Sequence, residues 1–202
     1  EHISFTAKPG ETTAIIGSTG CGKSTVVNLI PRFYDATEGQ VLVDGVDVRE
    51  YDQRSLRNKI GYVSQKATLF TGTIASNVAY GDNGEAPPSP ADVQAAVATA
   101  QAEDFVTHME GGYEGYVAQG GANLSGGQKQ RLSIARAIAR KPEILLFDDA
   151  FSALDYKTDR VLRSALDQAC QNTTRIIVAQ RIGTIRDADQ IIVLDDGQIA
   201  GI

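Results

Sequence analysis

The sequence has few residues of the kinds that build disulfide or metal scaffolds. Its only cysteines are Cys21 and Cys170, and its only histidines are His2 and His108. One cysteine lies in a glycine-rich segment and the other at the end of a helical pattern, so we expect a reducing compartment and no disulfide framework. The two histidines lack the spacing of a zinc site, so we also expect no bound zinc.

Long apolar runs and an excess of basic residues are missing as well. No stretch reaches the roughly 18 consecutive apolar residues that indicate a membrane-spanning helix. No basic segment precedes an apolar one in the way that predicts a secretory signal. The 25 acidic residues outnumber the 19 basic ones and give a formal net charge of −6. Because an acidic surface does not attract polyanions, the sequence predicts no nucleic-acid partner.

Short apolar runs alternate with helical patterns in the first and last parts of the chain. Strands are predicted at 12–16, 41–43, 60–64, 144–147, 175–179 and 191–194, and helices at 23–33, 156–169 and 182–186. Near-continuous apolar strands are typical of parallel sheets that are covered on both faces. The alternation therefore predicts an α/β fold with a largely parallel sheet.

The segment 72–141 differs from the rest because strand patterns nearly vanish there. Ser89 and Pro90 supply an N-cap and a favourable first helical residue for a predicted helix at 91–102. A further helix is predicted at 126–140. Loops are predicted at 81–92, which is rich in proline, and at 111–124, which is rich in glycine.

The length and these patterns together predict the domain organisation. A chain of 202 residues suffices for one domain that carries an inserted lobe. We predict a single domain over 1–202, in which a helical subdomain at 72–141 is inserted into an α/β core formed by 1–71 and 142–202.

A glycine-rich turn lies between the first predicted strand and the first predicted helix. It reads Gly17-Ser-Thr-Gly-Cys-Gly-Lys-Ser-Thr25 and matches the pattern G-x-x-x-x-G-K-[ST]. Glycines let successive backbone N–H groups form an anion-binding nest, and the following helix N-terminus adds its dipole. We expect Lys23 to contact the β- and γ-phosphates and Ser24 to ligate Mg²⁺. The predicted nucleotide-binding residues are Gly17, Ser18, Thr19, Gly20, Cys21, Gly22, Lys23, Ser24 and Thr25.

A second element of the same site is the apolar run Ile144-Leu-Leu-Phe-Asp148. Ligands of open α/β sheets bind at the carboxyl edge of the strands, where an aspartate can hold the hydration shell of Mg²⁺. An apolar strand that ends in aspartate is a weak signal by itself. Together with the phosphate loop, Asp148 favours a nucleotide triphosphatase and is predicted as a metal residue.

The segment Leu124-Ser-Gly-Gly-Gln128, followed by Lys-Gln-Arg, decides the class. Its serine and glycines open a helix, so free N–H groups and a hydroxyl face outward, ready for a phosphate. The segment matches the signature of ATP-binding-cassette (ABC) ATPases, and the sequence is identified as a member of that family. Further nucleotide-binding residues are thus predicted at Ser125, Gly126, Gly127 and Gln128.

The resemblance to ABC ATPases covers nearly the whole chain. It implies a P-loop NTPase core with a mainly parallel sheet, an inserted α-helical subdomain and a small antiparallel β part. Gln65 resembles the glutamine that touches Mg²⁺ and the attacking water, and Ser152-Ala-Leu-Asp155 resembles the D-loop that crosses the dimer interface. The family's adenine-stacking aromatic residue would lie upstream of residue 1.

The stretch 56–81 is similar to exporter-type cassettes, whose subunits carry membrane helices fused to the cassette. The resemblance implies that two cassettes close head to tail around ATP, each ATP lying between one phosphate loop and the partner's signature. It also implies coupling helices of a membrane domain as partners, and a location on the cytoplasmic side of the cell membrane. Leu69 and Phe70 are expected to line a surface groove for such a helix.

Two positions of the expected chemistry depart from the family's pattern, and Gln119 is a smaller departure, at a place that exporters usually fill with glutamate. Asp149 stands where hydrolytic members have glutamate, and Gln180 stands where they have the switch histidine. An aspartate carboxylate retreats by roughly 1–1.5 Å, and misplacements of about 1 Å can cost about 10²-fold in rate. The Gln180 amide can donate a hydrogen bond but cannot take a proton. We therefore expect a site that binds MgATP and hydrolyses it slowly, with Asp149, Gln180 and Gln65 as its catalytic residues.

Such a pattern resembles the degenerate-site subunit of a heterodimeric exporter, and it predicts a slow or inactive isolated domain. Two alternatives stay open. One is a homodimeric, fully active transporter cassette in which Asp149 serves as the base. The other is a soluble ABC ATPase that acts on DNA or ribosomes, which the acidic composition and the lack of heptad repeats disfavour.

Overall fold

A central sheet organises the part of the chain that the computed structural model describes, residues 2–81 and 83–202. In chain order the elements are β1 (Thr12–Gly17), α1 (Lys23–Leu29), β2 (Leu42–Val43), β3 (Val46–Asp47), α2 (Gln53–Asn58), β4 (Ile60–Val63), β5 (Gly72–Thr73), α3 (Ile74–Val78), α4 (Pro90–Thr99), α5 (Glu103–His108), β6 (Tyr116–Val117), α6 (Gly126–Ala139), β7 (Ile144–Asp148), α7 (Tyr156–Ala169), β8 (Thr174–Val178), α8 (Ile182–Ile185), β9 (Gln190–Asp195) and β10 (Gln198–Gly201).

The sheet has the strand order β10-β9-β1-β8-β7-β4. Its neighbours pair in parallel except for β10, which is antiparallel to β9. Two small antiparallel ribbons, β2–β3 and β5–β6, lie outside it. The predicted α/β class, with a mainly parallel sheet and a small antiparallel part, is therefore confirmed.

Both faces of the sheet are buried, which explains the continuous apolar strands. Successive side chains of a strand point to opposite faces. Leu145 and Phe147 of β7 accordingly join a core that includes Val97 and Leu132 of the helical segment. Leu146 belongs to a second core on the other face, together with Val27 and Leu56, among others.

The longer helices follow their sequence signals closely. Helix α7 has the predicted bounds, and α6 differs by one residue at its end. Helix α4 begins one residue before the start of the predicted range and ends three residues before the end of that range. Ser89 caps this helix as expected. The helix predicted at 23–33 ends earlier, at Leu29 with Ile30 as its C-cap, because Pro31 has no backbone N–H to continue the hydrogen-bond ladder.

Several short elements escaped prediction. Helices α2, α3 and α5 have only five or six residues, too few to show a helical period. The predicted loop at 111–124 contains β6, which pairs with β5, so the segment 72–141 is not purely helical. The predicted loop at 81–92 ends at Ser89, where the cap of α4 begins, and its residue Asp82 lies outside the described residues.

Residues 2–81 and 83–202 contain no helix with the length and hydropathy that a bilayer span needs.

Candidate nucleotide-binding site

The predicted site residues meet at the carboxyl edge of the sheet. Strand β1 ends at Gly17 and β7 at Asp148, whereas Gln65 and Gln180 each follow a strand by two residues. Strands β4, β7, β8 and β1 are consecutive and parallel, so their carboxyl ends share one edge. Residues that are more than a hundred positions apart in sequence therefore face one another.

The phosphate loop requires glycine at its two ends. Gly17 has a φ of 153°, and a Cβ there would collide with the carbonyl oxygen of Leu194 and lie 2.6 Å from the Cys21 sulfur. Gly22 has a φ of 98° and forms the N-cap of α1, a conformation that other residues rarely adopt. The chain thus turns tightly from β1 into α1 through two positions that suit glycine.

The loop side chains divide into buried and exposed sets. Cys21 and Lys23 are buried, whereas the exposed members are Ser18, Thr19, Gly20, Ser24 and Thr25. The Lys23 ammonium lies inside the loop and donates to the carbonyl oxygens of Gly17 at 2.9 Å and Ser18 at 2.7 Å. A weaker contact of 3.6 Å reaches the Cys21 sulfur. The charge of Lys23 is therefore held where phosphate oxygens would enter.

Ser24 and Asp148 form the contact that the sequence suggested. The Ser24 hydroxyl donates to Oδ1 of Asp148 at 2.7 Å, across 124 positions of sequence. The other oxygen of this carboxylate, Oδ2, lies 3.2 Å from the Tyr62 hydroxyl. Burial, reinforced by the charge of Asp148, raises the pKa of Tyr62, so this hydroxyl remains a hydrogen-bond donor.

The three predicted catalytic residues converge on one carboxylate oxygen. Gln65 donates its amide N–H to Oδ2 of Asp149 at 2.8 Å, and Gln180 donates to the same oxygen at 3.2 Å. Burial raises the pKa of the Asp149 carboxyl above its ordinary value. Its φ of 51° is left-handed, a conformation that aspartate adopts more readily than most residues. Gln65 was predicted as a metal residue beside Ser24 and Asp148. In the described part of the chain, its side chain instead binds Asp149.

The signature residues form a separate surface at the start of α6. Ser125 caps this helix, because its hydroxyl accepts from the backbone N–H of Gln128 at 3.2 Å. The Gln128 side chain in turn accepts from the backbone N–H of Ser125 at 2.9 Å. Ser125 and Gly126 are exposed and Gly127 is half-buried. Across residues 2–81 and 83–202 no hydrogen bond joins this surface to the phosphate loop.

Helix α6 is nevertheless tied to the sheet edge. The amide of Gln130, which is buried, donates to the carbonyl oxygen of Ser64 at 3.1 Å, one residue before Gln65. On the other side, Arg181 donates to the carbonyl oxygens of Ser152 and Leu154, at 2.9 Å each, next to Gln180. The residues next to both glutamines around Asp149 are therefore tied to neighbouring elements.

Leu69 and Phe70, both expected to line a surface groove, differ in exposure. Leu69 is 2% exposed and belongs to the core, so its predicted place in a surface groove is wrong. An apolar side chain beside α3 and α6 gains more by burial than by exposure. Phe70 is 45% exposed and packs against the Tyr80 ring with a centroid distance of 4.5 Å. The half-buried Arg136 places its guanidinium 5.2 Å from the Phe70 ring centroid, over the ring.

Sequence reasoning missed three residues that shape the site: Tyr62, Gln130 and Arg181. Each had a readable signal. Tyr62 is a polar-tipped side chain inside a buried strand, Gln130 is a polar residue on the apolar face of a helix, and Arg181 directly follows Gln180. None of these signals names a partner, because the bonding atoms lie on distant elements.

The parallel sheet and the glycine loop at its carboxyl edge define a P-loop nucleotide-binding domain. The sequence profile of a family described as ABC transporter matches residues 1–152. The chain therefore belongs to the ABC transporter family, as predicted.

Similar proteins are ABC transporters of several kinds. The chain is 51% identical over 201 residues to an uncharacterized ABC transporter ATP-binding protein of Mycobacterium bovis, covering 100% of this chain and 34% of the relative. It is 46% identical to the ATP-dependent lipid A-core flippase of Pseudomonas putida, covering 98% and 32%. A solved structure of a bacterial Atm1-family ABC exporter with ATP bound matches with a TM-score of 0.92 and 43% identity, covering 98% of this chain and 34% of that one. The chain thus spans about a third of the length of these relatives.

Proposed function

We propose that this chain is the MgATP-binding cassette of a membrane exporter. The observation that carries the proposal is the cluster at the sheet edge. There the Lys23 ammonium lies inside a glycine loop, and the Ser24 hydroxyl and the Asp148 carboxylate lie 2.7 Å apart beside it. The similarity to exporters over 98% of the chain supports the same assignment.

The residues at this edge fit a magnesium nucleotide. A Cβ built at Gly20 or Gly22 would meet no atom within 4 Å, so the loop leaves open space beside its backbone. A serine hydroxyl and a carboxylate supply the hard oxygen atoms that Mg²⁺ prefers. The buried ammonium of Lys23 supplies the positive charge that an anionic ligand needs.

The roles of the residues follow from this arrangement. Magnesium, when bound, would neutralise charge on the phosphates. Lys23 would exchange its loop carbonyls for phosphate oxygens, and Ser24 and Asp148 would hold the cation. Gln65 would orient water beside Asp149, whose carboxylate would accept the proton of that water. Gln180 can donate to a phosphate oxygen but cannot carry the proton onward.

The chain's own site is proposed to be slow. Asp149 is shorter than glutamate by one methylene, and its Oδ2 already accepts from two amides. A carboxylate that is held back by about 1 Å loses about 10²-fold in rate. We therefore propose a heterodimer in which the signature of this chain, Ser125 to Gln128, completes the competent site of a different partner cassette.

Export, membrane partner and location complete the proposal. We propose that dimer closure drives a fused membrane domain, with the cassette on the cytoplasmic side of the cell membrane. The exposed Phe70–Tyr80 pair on Arg136 is the proposed contact for a coupling helix. An exposed aromatic pair that packs on a guanidinium suits the apolar face of such a helix.

Equilibrium binding of MgATP to the full-length protein that contains this chain tests the proposal. We expect Lys23→Ala to weaken binding about tenfold or more, because charge-assisted hydrogen bonds are worth roughly 1.5–3 kcal/mol. Lys157→Ala is the control, since Lys157 is exposed on α7. Equal affinities for Lys23→Ala and the parent would refute the assignment of the phosphate loop.

A further inference from the structure

The Tyr62 hydroxyl lies between the helix that follows the phosphate loop and the end of strand β7. It is 2.9 Å from Oδ1 of Asn28 on α1 and 3.2 Å from Oδ2 of Asp148. A phenol has one proton, so only one of these two acceptors receives it at a time. The ionised carboxylate is the stronger acceptor, which favours Asp148 despite the longer distance.

The Tyr62 ring is held in place by its surroundings. It meets the Phe33 ring edge to face, with a centroid distance of 5.5 Å and an interplanar angle of 66°. The guanidinium of Arg57 lies 5.5 Å from the centroid of Phe33. Tyr62 itself belongs to β4, which pairs with β7 in the register Tyr62 to Leu146. The hydroxyl therefore has little freedom to move away from Asp148.

Asp148 is consequently fixed at both of its oxygens by different elements. The Ser24 hydroxyl occupies Oδ1 at 2.7 Å, and the Tyr62 hydroxyl approaches Oδ2. If Ser24 held a cation through its oxygen, its proton would still need an acceptor, and Oδ1 of Asp148 lies 2.7 Å away. Tyr62 is then the group that sets the rotation of the carboxylate plane.

We propose that Tyr62 is a positioning residue for the divalent cation that accompanies the nucleotide, acting through Oδ2 of Asp148. The inference rests on the proposed function and adds a residue to it. A preset carboxylate binds the cation without losing side-chain rotation at that moment, so the hydroxyl strengthens the magnesium-dependent part of ATP binding. Hydrogen-bond partners of metal-binding side chains typically contribute about 10–100-fold to metal affinity.

The test compares ATP affinity in saturating Mg²⁺ and in EDTA, by calorimetry, for the full-length protein and its Tyr62→Phe variant. Phenylalanine keeps the ring and its contact with Phe33 and deletes only the hydroxyl. We expect the ratio of the two affinities to fall about tenfold, with the affinity in EDTA unchanged. Tyr51→Phe is the matched control, because the Tyr51 hydroxyl donates to the carbonyl oxygen of Val43 at 3.1 Å and not to Asp148.

The possible outcomes separate this inference from the proposed function. A lower melting temperature with an unchanged affinity ratio would mean that Tyr62 is only structural and would overturn the inference alone. Equal losses in Mg²⁺ and in EDTA would also overturn it, because the hydroxyl would then serve the nucleotide rather than the cation. If the parent protein shows no magnesium-dependent ATP binding, the proposed function fails and the inference fails with it.

Discussion

Removal of the Ser125 hydroxyl should separate two roles of the signature serine. Its oxygen caps α6 by accepting from Gln128 N–H at 3.2 Å, and in the proposed dimer its proton would reach a phosphate of the partner's site. Loss of an N-cap costs about 1 kcal/mol, which for a domain of this size lowers the melting temperature by roughly 2–4 °C. Loss of one donor to transition-state charge costs about 10²-fold in turnover. The catalytic effect is thus far larger than the structural one.

Helix α4 offers a matched control for the structural part. Ser89 caps it with the same reciprocal box, accepting from Asp92 N–H at 3.2 Å. Ser89→Ala should therefore lower stability as much as Ser125→Ala while leaving turnover within about twofold of the parent. The measurements are steady-state ATPase and thermal unfolding of the full-length protein assembled with its partner. Equal turnover in the two variants would refute the role of the signature serine.

The same assay assigns the two sites of the dimer. Lys23→Ala should lower turnover less than Ser125→Ala, because in the proposed heterodimer the phosphate loop of Lys23 would belong to the slow site. If Lys23→Ala abolishes turnover and Ser125→Ala is mild, the assignment is wrong. A symmetric homodimer in which Asp149 serves as the base would then be the better description.

Three further predictions concern the same elements. Asp149→Glu combined with Gln180→His should add a second working site and raise steady-state ATPase severalfold at most, and an unchanged rate would show that these residues do not limit hydrolysis. Burial raises the pKa of Asp149 above its ordinary value of 3.8. Between the unfolded and the folded pKa, the folded state keeps a proton that the unfolded state has released, so the free energy of unfolding falls as the pH rises through this range. Asp149→Asn should therefore be more stable than the parent at pH 7 in urea unfolding, with a gain that shrinks as the pH approaches 3.8; a constant gain would contradict this origin. Phe70→Ala should leave ATP binding and the melting temperature intact but abolish the MgATP-dependent change in limited proteolysis of the membrane domain, whereas a loss of folding would place Phe70 in the core.

The contacts that the sequence could predict are those fixed by the sheet. Ser24 and Asp148 are far apart in the chain, yet each stands at the end of an apolar strand or directly after the loop that follows one. Parallel strands bring such ends together without any detail of packing. The loop glycines were equally predictable, because a turn from strand to helix that exposes N–H groups tolerates few other residues.

Contacts between side chains of loops and distant elements were not predictable in the same way. The amides of Gln65 and Gln180 share one oxygen of Asp149, and only the relative positions of three strands decide that meeting. Leu69 and Phe70 are neighbours with similar hydropathy, and the placement of α3 and α6 decides which of them is buried. Short helices such as α3 could not be predicted for another reason, since five residues carry little periodic signal.

The two departures from the family pattern, Asp149 and Gln180, meet at a single atom, Oδ2 of Asp149. Their effects on this site are therefore coupled. A carboxylate oxygen has two lone pairs, and Oδ2 of Asp149 directs both toward neutral amides. Those amides stabilise the ionised form, but they occupy one of the two oxygens that could take a proton from water. A glutamate would carry its carboxylate about one C–C bond, or about 1.5 Å, further, and a histidine at 180 would remove one of the two amides. Asp149→Glu alone or Gln180→His alone would leave the other departure in place, so we expect full activity of this site to require both substitutions.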